Sequence, residues 1–125
     1  MGKKKILIID DDRDFLRALN IRLKANNYET VFASDGYTAT KAVRDEKPDL
    51  VILDLGLPIG DGFIVMDRIK DFMQHSITPI IVLSGRDPLA NEKRALKAGA
   101  FAYFQKPADN DALLSSIRKA LGQAE

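Results

Sequence analysis

The sequence predicts a doubly wound α/β domain, (βα)5, with five parallel strands in the order 2-1-3-4-5. Two observations lead there. Five short apolar runs alternate with five stretches whose apolar residues recur at helical spacing. Four of those runs end on a charged or hydroxyl residue, the pattern of a sheet that gathers polar groups on one rim. Strictly alternating strands and helices need crossover connections, and these are right-handed. The doubly wound order given above meets both demands, right-handed crossovers and helices on both faces of the sheet.

Ile6-Leu7-Ile8-Ile9 is a continuous apolar run of the kind buried on both faces of a parallel sheet. Asp10 to Ala25 follows as a helical stretch, with Phe15, Leu19 and Leu23 along one face and Leu16 beside them. Asn26 and Asn27 stop it. Thr30 to Ala33 reads as the second strand, and Ser34, Asp35 and Gly36 open a helix carrying Ala39, Ala42 and Val43. That helix closes before Pro48, because the residue preceding a proline disfavours helical backbone. Leu50 to Leu53 is the third strand and ends at Asp54. A loop from Leu55 to Gly62 leads to a helix with Val65, Met66, Ile69 and Met73 on one side. Ile80 to Leu83 is the fourth strand, ending at Ser84. A helix from Pro88 to Ala98 stops at Gly99, a residue suited to a left-handed cap. Ala102 to Gln105 is the last strand, followed by Lys106-Pro107. The final helix starts near Asp109 and carries Leu113, Leu114, Ile117 and Leu121. No linker, repeat or low-complexity segment interrupts the pattern, so residues 1–125 read as one domain.

Composition narrows the functional classes. A chain of 125 residues with 46% hydrophobic and 30% charged residues suits a soluble globular domain. The formal net charge of +1 offers no general attraction to nucleic acid or to a membrane surface. Lys3, Lys4 and Lys5 read as a solvated lead-in to the first strand. The absence of cysteine excludes disulfides and thiolate metal sites and fits a reducing compartment. No apolar run approaches transmembrane length, and the run at Ile6 to Ile9 is too short for a signal peptide. The expected location is the cytoplasm.

The polar residues at the strand ends carry the chemistry. In the predicted order, strands one and three are neighbours at the switch point, so Asp10, Asp11 and Asp54 converge. Carboxylates so gathered need a proton or a cation. Oxygen ligands without His or Cys select a hard cation such as Mg2+. Lys106 supplies a second positive charge and Ser84 a hydroxyl donor. Such a set is suited to the equatorial oxygens of a phosphoryl group in transfer. Asp54 is the best nucleophile, since it ends the central strand and opens a glycine-containing loop, whereas Asp10 and Asp11 are adjacent and suit metal binding. Taken singly, Asp10 to Asp12 could simply cap a helix, Asp54 could start a turn, and Ser84 and Lys106 could be ordinary loop residues. Their joint placement at four strand ends carries the argument.

Ile8-Ile9-Asp10-Asp11, Leu53-Asp54-Leu55-Gly56-Leu57-Pro58-Ile59-Gly60-Asp61-Gly62, Val82-Leu83-Ser84-Gly85, Gly99-Ala100 and Lys106-Pro107 occur in this order along the chain. In this series the sequence resembles the receiver domain of two-component response regulators, a flavodoxin-like fold, over its whole length. The resemblance implies that Asp54 is the phosphoacceptor. It implies Mg2+ ligation by the carboxylates of Asp11 and Asp54 and the backbone carbonyl of Gly56, with Asp10 acting through water. Ser84 is then expected to hydrogen-bond the phosphoryl group and Lys106 to ion-pair with it, with a cis bond to Pro107. Tyr103 matches the aromatic switch position, which turns inward as Ser84 moves toward the phosphoryl group. The surface of the fourth helix, fifth strand and fifth helix then changes its affinity for a downstream target or output domain. The implied phosphoryl donor is a sensor histidine kinase or a histidine phosphotransfer protein. Such a domain catalyses only its own phosphorylation and dephosphorylation, so no turnover of an outside substrate is expected. No direct contact with nucleic acid or membrane is implied, and a weak or phosphorylation-dependent homodimer is compatible.

The sequence departs from the family pattern in places. Ser84 replaces the commoner threonine but keeps the hydroxyl. Gly56 and Arg86 occupy the two positions that tune phosphoryl lifetime. Ala108 stands where an aromatic is common, which loosens the expected start of the last helix. Phe101 and Ala102 replace acidic residues that pair in the dimers of one large DNA-binding class, which argues against that particular dimer. Asp61 with Gly62 is expected to cap the third helix, Pro58 to stiffen the preceding loop, and His75 to have no metal or phosphoryl role. Two rivals are weighed. An aspartyl phosphohydrolase would need a second acid near Gly56 and a substrate-capping segment. An interaction module that signals without phosphorylation would have no need of the full acidic pocket.

Overall fold

The computed structural model describes residues 2–57, 61–72 and 78–123. The elements alternate as β1 (Lys5–Ile9), α1 (Arg13–Ala25), β2 (Glu29–Ala33), α2 (Gly36–Glu46), β3 (Leu50–Leu53), α3 (Gly62–Phe72), β4 (Ile80–Ser84), α4 (Pro88–Lys97), β5 (Ala102–Gln105) and α5 (Asn110–Ala120). The strands form one parallel sheet in the order β2-β1-β3-β4-β5, as the sequence predicts.

The period of two along a strand divides the apolar runs between two layers. Ile6, Ile8, Leu50, Ile52, Ile81 and Leu83 face Leu19 and Leu23 of α1 and Leu113, Leu114 and Ile117 of α5. Leu7, Ile9, Val51, Leu53, Ile80 and Val82 face Ala39 and Val43 of α2, Val65, Met66 and Ile69 of α3, and Ala95 of α4. All three central strands are therefore buried on both sides, which is why their sequences lack polar alternation. Each such Leu or Ile contributes about 1.5–3 kcal/mol relative to an exposed side chain.

Side-chain oxygens set the helix starts. The run that opens after β1 becomes helical at Arg13 rather than at Asp10. Asp12 is the N-cap, its carboxylate accepting from the Phe15 amide at 3.1 Å, while Asp10 Oδ1 accepts from the Asp12 amide at 2.9 Å. Asp35 and Thr38 form a reciprocal capping box on α2. Asp61 accepts from the Phe63 amide at 2.9 Å at the start of α3, as expected. Asp87 and Asp109 cap α4 and α5. Asn27 and Gly99 take the left-handed backbone that ends α1 and α4. Pro58, Ile59, Gly60, Met73 and His75 lie outside the described residues.

Gly62 brings α3 against the loop after β3. Its amide donates to Leu55 O at 3.2 Å, and a Cβ there would collide with the Leu55 backbone. The absence of a side chain permits this close approach.

Candidate functional site

Register places the acids. Ile9 of β1 pairs with Leu53 of β3, so the residues that follow, Asp10 and Asp54, leave the sheet side by side. The Asp54 amide donates to Ile9 O at 2.9 Å, and the Asp10 amide to Ala33 O at 3.0 Å, which fixes both backbones to the neighbouring strand. Ser84 pairs with Gln105, and the Lys106 amide donates to Ser84 O at 2.7 Å. Lys106 therefore enters the same rim from the far side of the sheet. The Lys106–Pro107 bond is cis, as expected.

The side chains close on one another. Lys106 Nζ lies 2.6 Å from Asp10 Oδ2 and 3.3 Å from Asp54 Oδ2. Asp54 Oδ1 accepts from the Gly56 amide at 3.0 Å. Asp10 is 2% exposed, Asp54 8% and Ser84 1%, whereas Asp11 faces solvent. Carboxylate oxygens of Asp10, Asp11 and Asp54 lie within 4.8 Å of one another.

This cluster is short of positive charge. Burial pushes the Asp10 carboxyl above the usual carboxylate range, against the pull of the Lys106 hydrogen bond. Burial alone would lower Lys106, but its hydrogen bond to Asp10 and the charges of Asp10 and Asp54 outweigh this and hold it above its ordinary value. Both groups thus bind their protons more tightly than in water. One ammonium among three carboxylates leaves a deficit that a hard, oxygen-seeking divalent ion fits, with Asp11 giving access from solvent.

Ser84 and Tyr103 meet at one residue. Ser84 Oγ accepts from the Arg86 amide at 3.2 Å, and the Tyr103 hydroxyl donates to Arg86 O at 2.8 Å. Burial raises the Tyr103 hydroxyl's pKa. The half-buried ring packs on the layer under α2, α3 and α4. All seven residues singled out in the sequence, Asp10, Asp11, Asp54, Gly56, Ser84, Tyr103 and Lys106, thus fall on the carboxyl rim or, for Tyr103, on the strand leading to it. Gly56 meets Asp54 through its amide. In the sequence, Phe15 reads only as part of the apolar face of the first helix. Its ring centroid lies 4.2 Å from Lys106 Nζ. The signal available was its place one helical turn beyond the aspartates.

Fold and rim together define a class: an open α/β domain with an acidic, lysine-bridged site at the switch point of its sheet. Residues 6–118 match the family model described as the response regulator receiver domain. The chain belongs to this family, the receiver domains of two-component response regulators. It is 40% identical over 116 residues to the transcriptional regulatory protein KdpE of Mycobacterium tuberculosis, covering 93% of this chain and 50% of that protein. It is 33% identical over 122 residues to the alkaline phosphatase synthesis transcriptional regulatory protein PhoP of Bacillus subtilis, covering 98% of this chain and 50% of that protein. The chain spans about half the length of these curated relatives. Among solved structures, the BeF3-activated N-terminal receiver domain of Klebsiella pneumoniae RstA superposes with a TM-score of 0.85 at 31% identity, covering 96% of this chain and all of that one.

Proposed function

We propose that this domain accepts a phosphoryl group on Asp54 from a phosphohistidine donor, a sensor kinase or a histidine phosphotransfer protein. The observation that carries the reading is the convergence of Asp10, Asp11, Asp54 and Lys106 at one rim of the sheet. In the transfer, a carboxylate oxygen of Asp54 attacks phosphorus, the bond from phosphorus to the imidazole nitrogen breaks, and an acyl phosphate forms. Lys106 exchanges a carboxylate partner for a phosphoryl oxygen. Ser84 donates its hydroxyl to another. Later, water attacks phosphorus in line and the bond to the Asp54 oxygen breaks, restoring the carboxylate.

The donor set fits Mg2+, which would be held by Asp11, Asp54 and the Gly56 carbonyl, with Asp10 through water, and would neutralise charge on the phosphoryl oxygens. When Ser84 turns toward the phosphoryl group it gives up the Arg86 amide, at the residue whose carbonyl anchors Tyr103. The surface of α4, β5 and α5 is the reading's output face, and its target is a downstream protein or domain. The chain acts as one domain, residues 1–125, and turns over no outside substrate. No helix among the described residues is long and apolar enough to cross a membrane, and a cytoplasmic site of action is part of the proposal.

Incubation with acetyl phosphate and Mg2+ tests this reading. Intact-mass measurement is expected to show a gain of one phosphoryl group, lost in Asp54→Asn and on chelation. No gain under any condition would favour a module that signals without phosphorylation. Rapid turnover of many phosphoesters would favour a hydrolase.

A further inference from the structure

Lys106 carries three N–H donors. Two are directed to Asp10 and Asp54. The ring of Phe15 also lies against the ammonium, its centroid 4.2 Å from Nζ. We propose that Phe15 is a positioning residue for phosphoryl transfer, its ring face holding the Lys106 ammonium at the mouth of the acidic pocket.

The proposal rests on the phosphoacceptor reading above and adds a residue to it. A lysine ammonium is a mobile point charge on a flexible stem. Between its resting pair with Asp10 and a phosphoryl oxygen on Asp54, it must move without swinging into solvent. An aromatic face attracts the cation through its quadrupole and excludes water on that side. It accepts no strong hydrogen bond, so it competes with neither the carboxylates nor the phosphoryl oxygens. The backbone that carries the ring is held in place, because the Phe15 amide donates to the Asp12 carboxylate and the Asp12 amide in turn donates to Asp10. The loop that presents the acids therefore also presents the ring. On the side of Ala108 and Leu113 a gap of about 130 Å3 borders the ring, room enough for ring fluorines.

A merely structural role would be met equally well by leucine, whereas a cation–ring contact depends on the ring's electrons. The test replaces Phe15 site-specifically with mono-, di- and trifluorinated phenylalanine, alongside Phe15→Leu, in the full chain. Phosphorylation by acetyl phosphate at saturating Mg2+ is expected to slow stepwise with fluorination, reaching roughly threefold to tenfold in Phe15→Leu. In the metal-free wild type, NMR is expected to show the Lys106 ε-methylene protons shifted upfield by the ring, the shift vanishing in Phe15→Leu. A flat rate series, or a missing ring shift, with the wild type still phosphorylated, overturns the role of Phe15 alone. A ring shift with no phosphorylation of any variant, the wild type included, overturns the phosphoacceptor reading on which the proposal stands.

Discussion

At the scale of single residues, the burial of Asp10, which outweighs its pairing with Lys106, predicts how stability depends on pH. The folded Asp10 carboxyl binds its proton more tightly than an unfolded one, chiefly through burial. Its contribution is therefore fully present below the ordinary carboxylate pKa and is lost as pH rises through the raised, folded value. In the metal-free protein, Asp10→Asn is expected to remove this loss. Urea unfolding of both proteins from acid to neutral pH checks it, and the stability difference between them should grow in favour of the variant as pH rises. Tyr103→Phe tests another single contact. It deletes a hydroxyl bonded to the Arg86 carbonyl and is expected to cost about 0.5–1.5 kcal/mol. Hydrogen exchange at Gly85 to Asp87 should quicken with it. The sequence marked Asp10 and Lys106 for the site, but the direction of each shift needed the packing around them. The contact of Phe15 with Lys106 was not legible either, since it depends on how α1 crosses the sheet.

At the scale of elements, Gly62 offers the sharpest prediction. Glycine is a weaker helix former than alanine, so propensity alone gives no reason for Gly62→Ala to harm α3, which Gly62 opens. Here the added methyl meets the Leu55 backbone, with Leu55 O only 2.8 Å away, and cannot be relieved by a side-chain turn. The substitution is expected to destabilise the domain by about 1–3 kcal/mol and to slow phosphorylation by displacing the Asp54 loop. Denaturant titration and the acetyl phosphate assay read the two effects. Strand identity was legible because Ile6 to Ile9, Leu50 to Leu53 and Ile80 to Leu83 are apolar on both faces. The start of α1 was less so. Three aspartates in a row each offer a cap, and only the structure shows Asp12 taking it while Asp10 turns to the site.

At the scale of the molecule, the surplus of carboxylates links ion binding to folding. A ligand that binds only the folded state stabilises it by mass action, about 2.7 kcal/mol at a concentration of 100 times its dissociation constant. Mg2+ is thus expected to raise the melting temperature in a concentration-dependent way, chelation to reverse this, and Asp11→Asn to blunt it. The alternation of elements and the handedness of crossovers limited the strand order to doubly wound arrangements, of which 2-1-3-4-5 is the one observed. Register was not, for no feature of the sequence says that Ile9 stands opposite Leu53. That single alignment decides whether Asp10 and Asp54 meet.

The bond from Lys106 to Asp10 joins positions 96 residues apart, reaching from β5 across the ends of β4 and β3 to β1. It works as a clasp between the first and last thirds of this domain. Among the described residues, the ammonium that pairs with Asp10 and Asp54 arrives only after the last strand. The acidic rim is therefore among the last features of this domain to be completed, and removing Lys106 would leave Asp54 facing the charge of Asp10 and Asp11 without the ammonium that bridges it to Asp10 here.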